Sequence, residues 1–168
     1  MNRGAVTRDS GRSRFYETER LALDMVERAG TAGHTVQLAG TTLTLPVEAR
    51  FGSVDAVQDY ADRVLALASV RERFPRAQTP ITVRRRRSGA AAHYSPERGE
   101  IAVPDDVDGR WALRELVILH EVAHHLNDDD GPPHGRAYAN ILVDLVGLVL
   151  GPELALVYRV LLGDADLL

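Results

Sequence analysis

The sequence predicts a single α+β domain. Three observations carry this: apolar residues recur at helical spacing in five segments, short β-prone runs cluster between residues 81 and 103, and Gly or Pro separates most of these segments. A chain of 168 residues can bury one core without staples and is short for two catalytic domains.

Residues 1–13 are polar and Arg-rich with no recurring apolar position, which predicts a disordered tail and leaves 14–168 as the domain. Phe15, Leu21, Ala22 and Met25 follow helical spacing up to Gly30, a helix stop. Thr35–Leu38 and Thr42–Leu45 flank Ala39-Gly40-Thr41 and read as a hairpin. Ser53 is a natural N-cap for a helix carrying Val54, Val57, Ala61, Val64, Leu65 and Ala68, with Pro75 beyond its end. Ile81–Val83, Ala91–Tyr94 and Glu100–Val103 read as strands of a small, mainly antiparallel sheet, the last two joined by the turn 95–99. A helix opening at Asp108 or Gly109 carries Trp111, Leu113, Leu116, Val117, Leu119, Ala123 and Leu126, and stops before Asp128-Asp129-Asp130 and Gly131-Pro132-Pro133. A further helix is expected from His134 to about Leu150, and Gly151-Pro152 separates it from a last one ending near Leu162. The sheet is expected to pack on the 109–126 helix, with the C-terminal helices covering its other side.

Composition removes several chemistries. Cysteine is absent, which excludes disulfides, thiolate ligands and a cysteine nucleophile. Lysine is absent too, so neither a Schiff base nor a lysine general base is available. A net charge of -4 gives no global attraction to nucleic acid or anionic membrane. The most apolar stretch, 141–150, is too short to span a bilayer and contains Asp144, and the N-terminus does not read as a secretory signal. The expectation is a cytoplasmic protein with no membrane partner.

The chemistry sits in His120-Glu121-Val122-Ala123-His124. On a helix this H-E-x-x-H run places its two imidazoles one turn apart on one face, where both reach one metal, with Glu121 about 100° around and placed to bond a water. The competing view, a chance spacing on a solvated face, is opposed by the apolar residues on both sides of the motif. Zinc suits such ligands, and a catalytic site needs a third one plus an open position. His134, just after the Pro-Pro breaker, is the first candidate. Asp144, twenty residues beyond His124, is the runner-up, and otherwise reads as a hydrogen-bond partner of a ligand histidine. Asp128–Asp130 read more simply as a solvated helix end. His125 points away from the metal face. Tyr138 reads either as an oxyanion donor or as helix packing, while His93, Tyr94 and Arg136 read as structural. Arg84–Arg87 reads as a phosphate-binding patch or, more simply, as a solvated strand end whose alternate residues face opposite ways.

The run HEVAHHLNDDDGPPHGRAY, preceded by Ile101-Ala102-Val103-Pro104, resembles the SprT-like and related small zincin metallopeptidases, whose pattern is H-E-x-x-H followed by H-G-x-x-F. The continuation NILVDLVGLVLGPELA resembles a family of small actinobacterial metallohydrolases. The resemblance covers about residues 80–163. It implies a zincin-like fold, His120, His124 and His134 as zinc ligands, Glu121 as catalytic base, and the Glu100–Val103 strand as the edge that receives an extended peptide or protein substrate. Tyr138 stands where that family has Phe, and the cysteine-rich ribbon of many SprT proteins is missing, so their DNA-linked role is not implied. The expected function is zinc-dependent hydrolysis of peptide or other amide bonds. The alternative is a non-catalytic module in which zinc joins two helices, with nucleic acid as a partner through Arg84–Arg87.

Overall fold

The computed structural model describes residues 10–104 and 113–168. It is a mixed α and β structure in the order α1 (Ser10–Thr31), β1 (Thr35–Leu38), β2 (Thr41–Thr44), α2 (Val54–Ala66), α3 (Ala68–Arg73), β3 (Thr82–Arg85), β4 (His93–Ser95), β5 (Glu100–Val103), α4 (Glu115–Leu126), α5 (Arg136–Leu150) and α6 (Pro152–Asp164). Among the described residues no helix is long and apolar enough to cross a membrane.

The first helix starts at Ser10, inside the segment expected to be a tail; residues 1–9 lie outside the described part. Its buried stripe is Phe15, Glu19, Ala22, Val26 and Ala29, while Leu21 is half exposed. The spacing 4-3-4-3 is that of one helix face packed on a core, with a glutamate at one of the core positions. The hairpin forms, with Thr35 opposite Thr44, but its second strand starts at Thr41, one residue earlier than expected. Ala39 and Gly40 both take positive φ, the two-residue turn whose twist suits a hairpin. Ser53 caps α2, its hydroxyl accepting from the Ala56 amide at 3.1 Å. Leu67 leaves helical geometry (ψ 129°), so the expected single helix divides into α2 and α3, and a 3-10 turn at Pro75–Gln78 follows.

The sheet departs from expectation. Its order is β3-β5-β4, with β5 antiparallel to β4 but parallel to β3. Tyr94 lies opposite Ile101, and Val83 flanks Ile101 on the other side. The edge strands are therefore β3 and β4, and Glu100–Val103 is the central strand. The physical signal is burial: Ile101, Ala102 and Val103 are all buried, the continuous apolar run of a strand enclosed on both sides, whereas β4 buries only Tyr94.

The α4 helix starts at Glu115; the expected start at Asp108 or Gly109 lies outside the described residues. Ten of its twelve residues are buried, because it packs against α5, α2, β4 and the 3-10 turn at once. Its entry is held by Arg114, fully buried, whose guanidinium reaches Glu48 at 2.6 Å. Glu48 also accepts from the Leu116 amide, and Glu115 accepts from the Ala49 amide at 2.7 Å. Glu48→Ala would remove the shortest carboxylate partner of that guanidinium and leave Glu27 at 3.4 Å, and an expected loss of up to about 3 kcal/mol is measurable by urea unfolding. On the far side α5 and α6 form a close pair in which a Cβ at Gly147 would come within 3.1 Å of the Ala155 methyl, and α1 packs on α6.

Candidate metal centre

Because α4 is helical through its motif, His120 and His124 lie one above the other. The chain then leaves the helix at Asn127, turns through Pro132-Pro133, and brings His134 back just before Gly135 caps α5. The three Nε2 atoms converge: His124 to His120 is 3.2 Å and His134 to His120 is 3.4 Å. All three ligand atoms lie within 4.8 Å of one another. A tetrahedral zinc with Zn–N of about 2.0–2.1 Å separates its nitrogens by about 3.3–3.4 Å, so both measured edges match that ion's size.

Asp144 is elsewhere. It is bonded to Arg73 at 2.6 and 3.0 Å and lies 3.9 Å from Arg159, beside a 620 Å³ cavity between α3, α5 and α6 whose other lining residues include no metal-ligand type. It is neither the third ligand nor the partner of a ligand histidine.

That partner is Glu19, which the sequence reading missed. Its Oε1 lies 2.9 Å from His120 Nδ1, and both side chains are buried. In neutral His120 a proton on Nδ1 donates to Glu19 and leaves the Nε2 lone pair facing the centre, the orientation a metal ligand requires. Burial disfavours the charged imidazolium of His120, but the Glu19 carboxylate, helped by Glu121, outweighs that and raises its pKa. His124 goes the other way, pushed down to about 2 by burial first and then by His120, His134 and His93. His124 is thus held neutral, while at His120 the Glu19 carboxylate favours positive charge at the ring, which a cation at the centre would supply. The donor set therefore fits a borderline-soft divalent ion such as zinc. Glu19→Gln is expected to weaken zinc binding about 10–100-fold while leaving the fold intact, as read by competition with a chelating dye.

Glu121 is also buried, and its Oε2 accepts from the Tyr94 amide of the edge strand at 2.8 Å. Burial raises its pKa, opposed by His120 and by the Tyr94 hydrogen bond. One carboxylate oxygen is thus anchored to the strand.

Aromatic rings wall the cluster. Tyr138 stacks on His124 at 4.2 Å, Tyr16 stacks on His120 at 5.6 Å, and Phe15 lies 5.2 Å from His134. The Tyr138 hydroxyl donates to the His120 carbonyl at 3.0 Å, so it ties α5 to α4 and is not an oxyanion donor. His125 points away from the cluster, held by the Tyr94 hydroxyl and the Thr79 carbonyl, each at 2.9 Å.

No protein-family model, curated protein or solved structure matches the chain.

The cluster opens into a cleft of about 660 Å³ lined by Tyr16, Arg86, His93, Glu121, His124 and His134 among others. Its walls come from α1, from β4 with the loop before it, and from the turn between α4 and α5. The Arg84–Arg87 run does not present one surface: Arg84 is paired with Glu100, whereas Arg86 turns into the cleft and bonds the Ala91 carbonyl at 2.7 Å.

Proposed function

We propose that the protein is a zinc-dependent metallohydrolase with a zincin-like site, acting on peptide bonds in the cytoplasm. The observation that carries this reading is the convergence of three imidazoles, with both Nε2 distances from His120 near those of a tetrahedral zinc, beside a buried, anchored carboxylate at the floor of an open cleft. A purely structural zinc would be closed by four protein ligands; three ligands and a cleft leave a position for substrate or water.

His120, His124 and His134 would hold the ion, and zinc bound there supplies an acidified water and a Lewis acid for a carbonyl oxygen. The remaining work belongs to the chain. Glu19 keeps His120 in the tautomer that presents Nε2. Glu121, fixed through the Tyr94 amide, takes a proton from the attacking water and delivers it to the leaving amine, and its raised pKa suits both halves of that transfer. The outer edge of β4 runs along the same cleft and is where an extended peptide would add as a further strand, on backbone groups other than the Tyr94 amide that Glu121 holds.

The test is digestion of a mixed peptide library by the zinc-loaded protein, read by mass spectrometry. Cleavage that disappears with a zinc chelator and returns on adding zinc is the expected outcome. A library left intact by fully loaded protein would reject peptides as the substrate class.

A further inference from the structure

Several arginines of the chain are held by carboxylates, and two in the cleft are not. Arg84 and Arg98 are tied to Glu100, Arg73 and Arg159 to Asp144, Arg114 to Glu48 and Arg136 to Asp166. Arg12 and Arg86 both line the cleft beside Glu121 and His134, and among the described residues neither has a carboxylate at ion-pair distance. Arg86 is half-buried and held in place. Its amide donates to the Val103 carbonyl at 2.9 Å, its Nη1 donates to the Ala91 carbonyl, and its guanidinium lies so close over Gly89 that a Cβ there would meet Cζ and Nη2 at 3.1 Å. Gly89 also takes φ +90°, a backbone conformation that favours glycine in the loop that carries the guanidinium. Arg12 lies 5.6 Å over the ring of Tyr16, which itself stacks on His120.

The cleft sets two guanidinium groups, Arg12 and Arg86, against two carboxylates, so its formal charge is balanced and the arginines matter by position. Its one carboxylate besides Glu121 is Asp129, which accepts from the Gly131 amide at 2.9 Å. A guanidinium fixed in a wall, with most of its N–H groups uncommitted, matches a planar carboxylate, to which it offers two parallel charge-assisted hydrogen bonds.

We infer that the cleft selects a peptide carrying a carboxylate, received by Arg86 with Arg12 adding charge at the rim. The inference rests on the hydrolase reading for the peptide and on the two arginines for the charge. The carboxylate has two possible sources, an Asp or Glu side chain or the free C-terminus.

The experiment titrates hexapeptide pairs that differ by Glu or Gln at one position, each with a free or an amidated C-terminus, into zinc-loaded Glu121→Gln protein by calorimetry. Turnover of the same peptides by the unaltered protein is followed in parallel. The carboxylate-bearing member is expected to bind about tenfold or more tightly than its neutral partner, and Arg86→Gln should remove that difference while leaving the neutral peptide's affinity unchanged. Arg86→Lys, which keeps the charge, should keep part of the preference and so separates charge loss from damage to the loop. The free and amidated arms show which carboxylate is read. Equal affinity within every pair overturns the inference. So does a preference that survives Arg12→Gln combined with Arg86→Gln, since the zinc charge alone would then explain it. Turnover without preference overturns this inference and leaves the hydrolase reading standing, whereas preference without turnover supports the carboxylate site and removes the hydrolase.

Discussion

Glu121→Gln is expected to lower peptide turnover by about 10²–10⁴-fold, the range a positioned general base contributes, while zinc content and melting temperature stay near those of the unaltered protein. The side chain is buried and one oxygen accepts from the Tyr94 amide. The amide of Gln has the same shape and its oxygen can still accept that hydrogen bond, so edge strand and helix remain joined. What is lost is the capacity to take up a proton. A non-catalytic zinc module gives the opposite pattern, because nothing in it depends on Glu121 ionising. Steady-state kinetics on any cleaved library peptide, with metal analysis on the same sample, checks both halves. Equal turnover in the two proteins would remove Glu121 from the chemistry.

His134→Ala should be the most damaging single change to metal binding. His120 and His124 belong to one rigid helix, and two imidazoles from one turn leave half the coordination sphere to water. His134 is the ligand that closes the site across the turn to α5, and its side chain packs against Phe15 at 5.2 Å and Tyr16 at 5.0 Å. Its removal is expected to weaken zinc by more than the about 10–100-fold that an outer partner such as Glu19 is worth. Zinc retained at full affinity by His134→Ala would move the third ligand to another group. Within this structure Asp144 is a poor substitute, because it would have to leave Arg73 and is not among the residues lining the cleft.

The cluster was readable from the sequence because its key spacing is local. His124 is four positions after His120, helical geometry converts that number into one face, and a Pro-Pro turn is enough to return His134, ten positions after His124. Glu19 lies a hundred residues away, where no local rule applies. Its signal was nonetheless present: the stripe Phe15, Ala22, Val26, Ala29 has a glutamate at its one missing core position, and a carboxylate that must be buried implies a partner. Weighting Leu21 and Met25 instead rotates the helix and hides it.

The sheet shows a different limit. Strand existence followed from composition, but pairing did not, because the turn between β4 and β5 fixes only their own antiparallel match and says nothing about where β3 docks. Three consecutive buried residues in β5 marked it as central, a pattern that outweighs the resemblance by which it was expected at the edge. Tyr138 illustrates the remaining ambiguity, since helical spacing brings it near the histidines but cannot say whether its hydroxyl meets solvent or, as found, the carbonyl of His120.

The most direct test of the central claim is zinc-edge X-ray absorption on protein loaded with one zinc per chain. Three imidazole nitrogens and one exchangeable oxygen at about 2.0–2.1 Å, with the fitted number of imidazoles falling in His134→Ala, is the predicted result. A shell of oxygens at longer distance, or a closed set of four protein ligands with no exchangeable oxygen, would contradict a catalytic three-histidine centre.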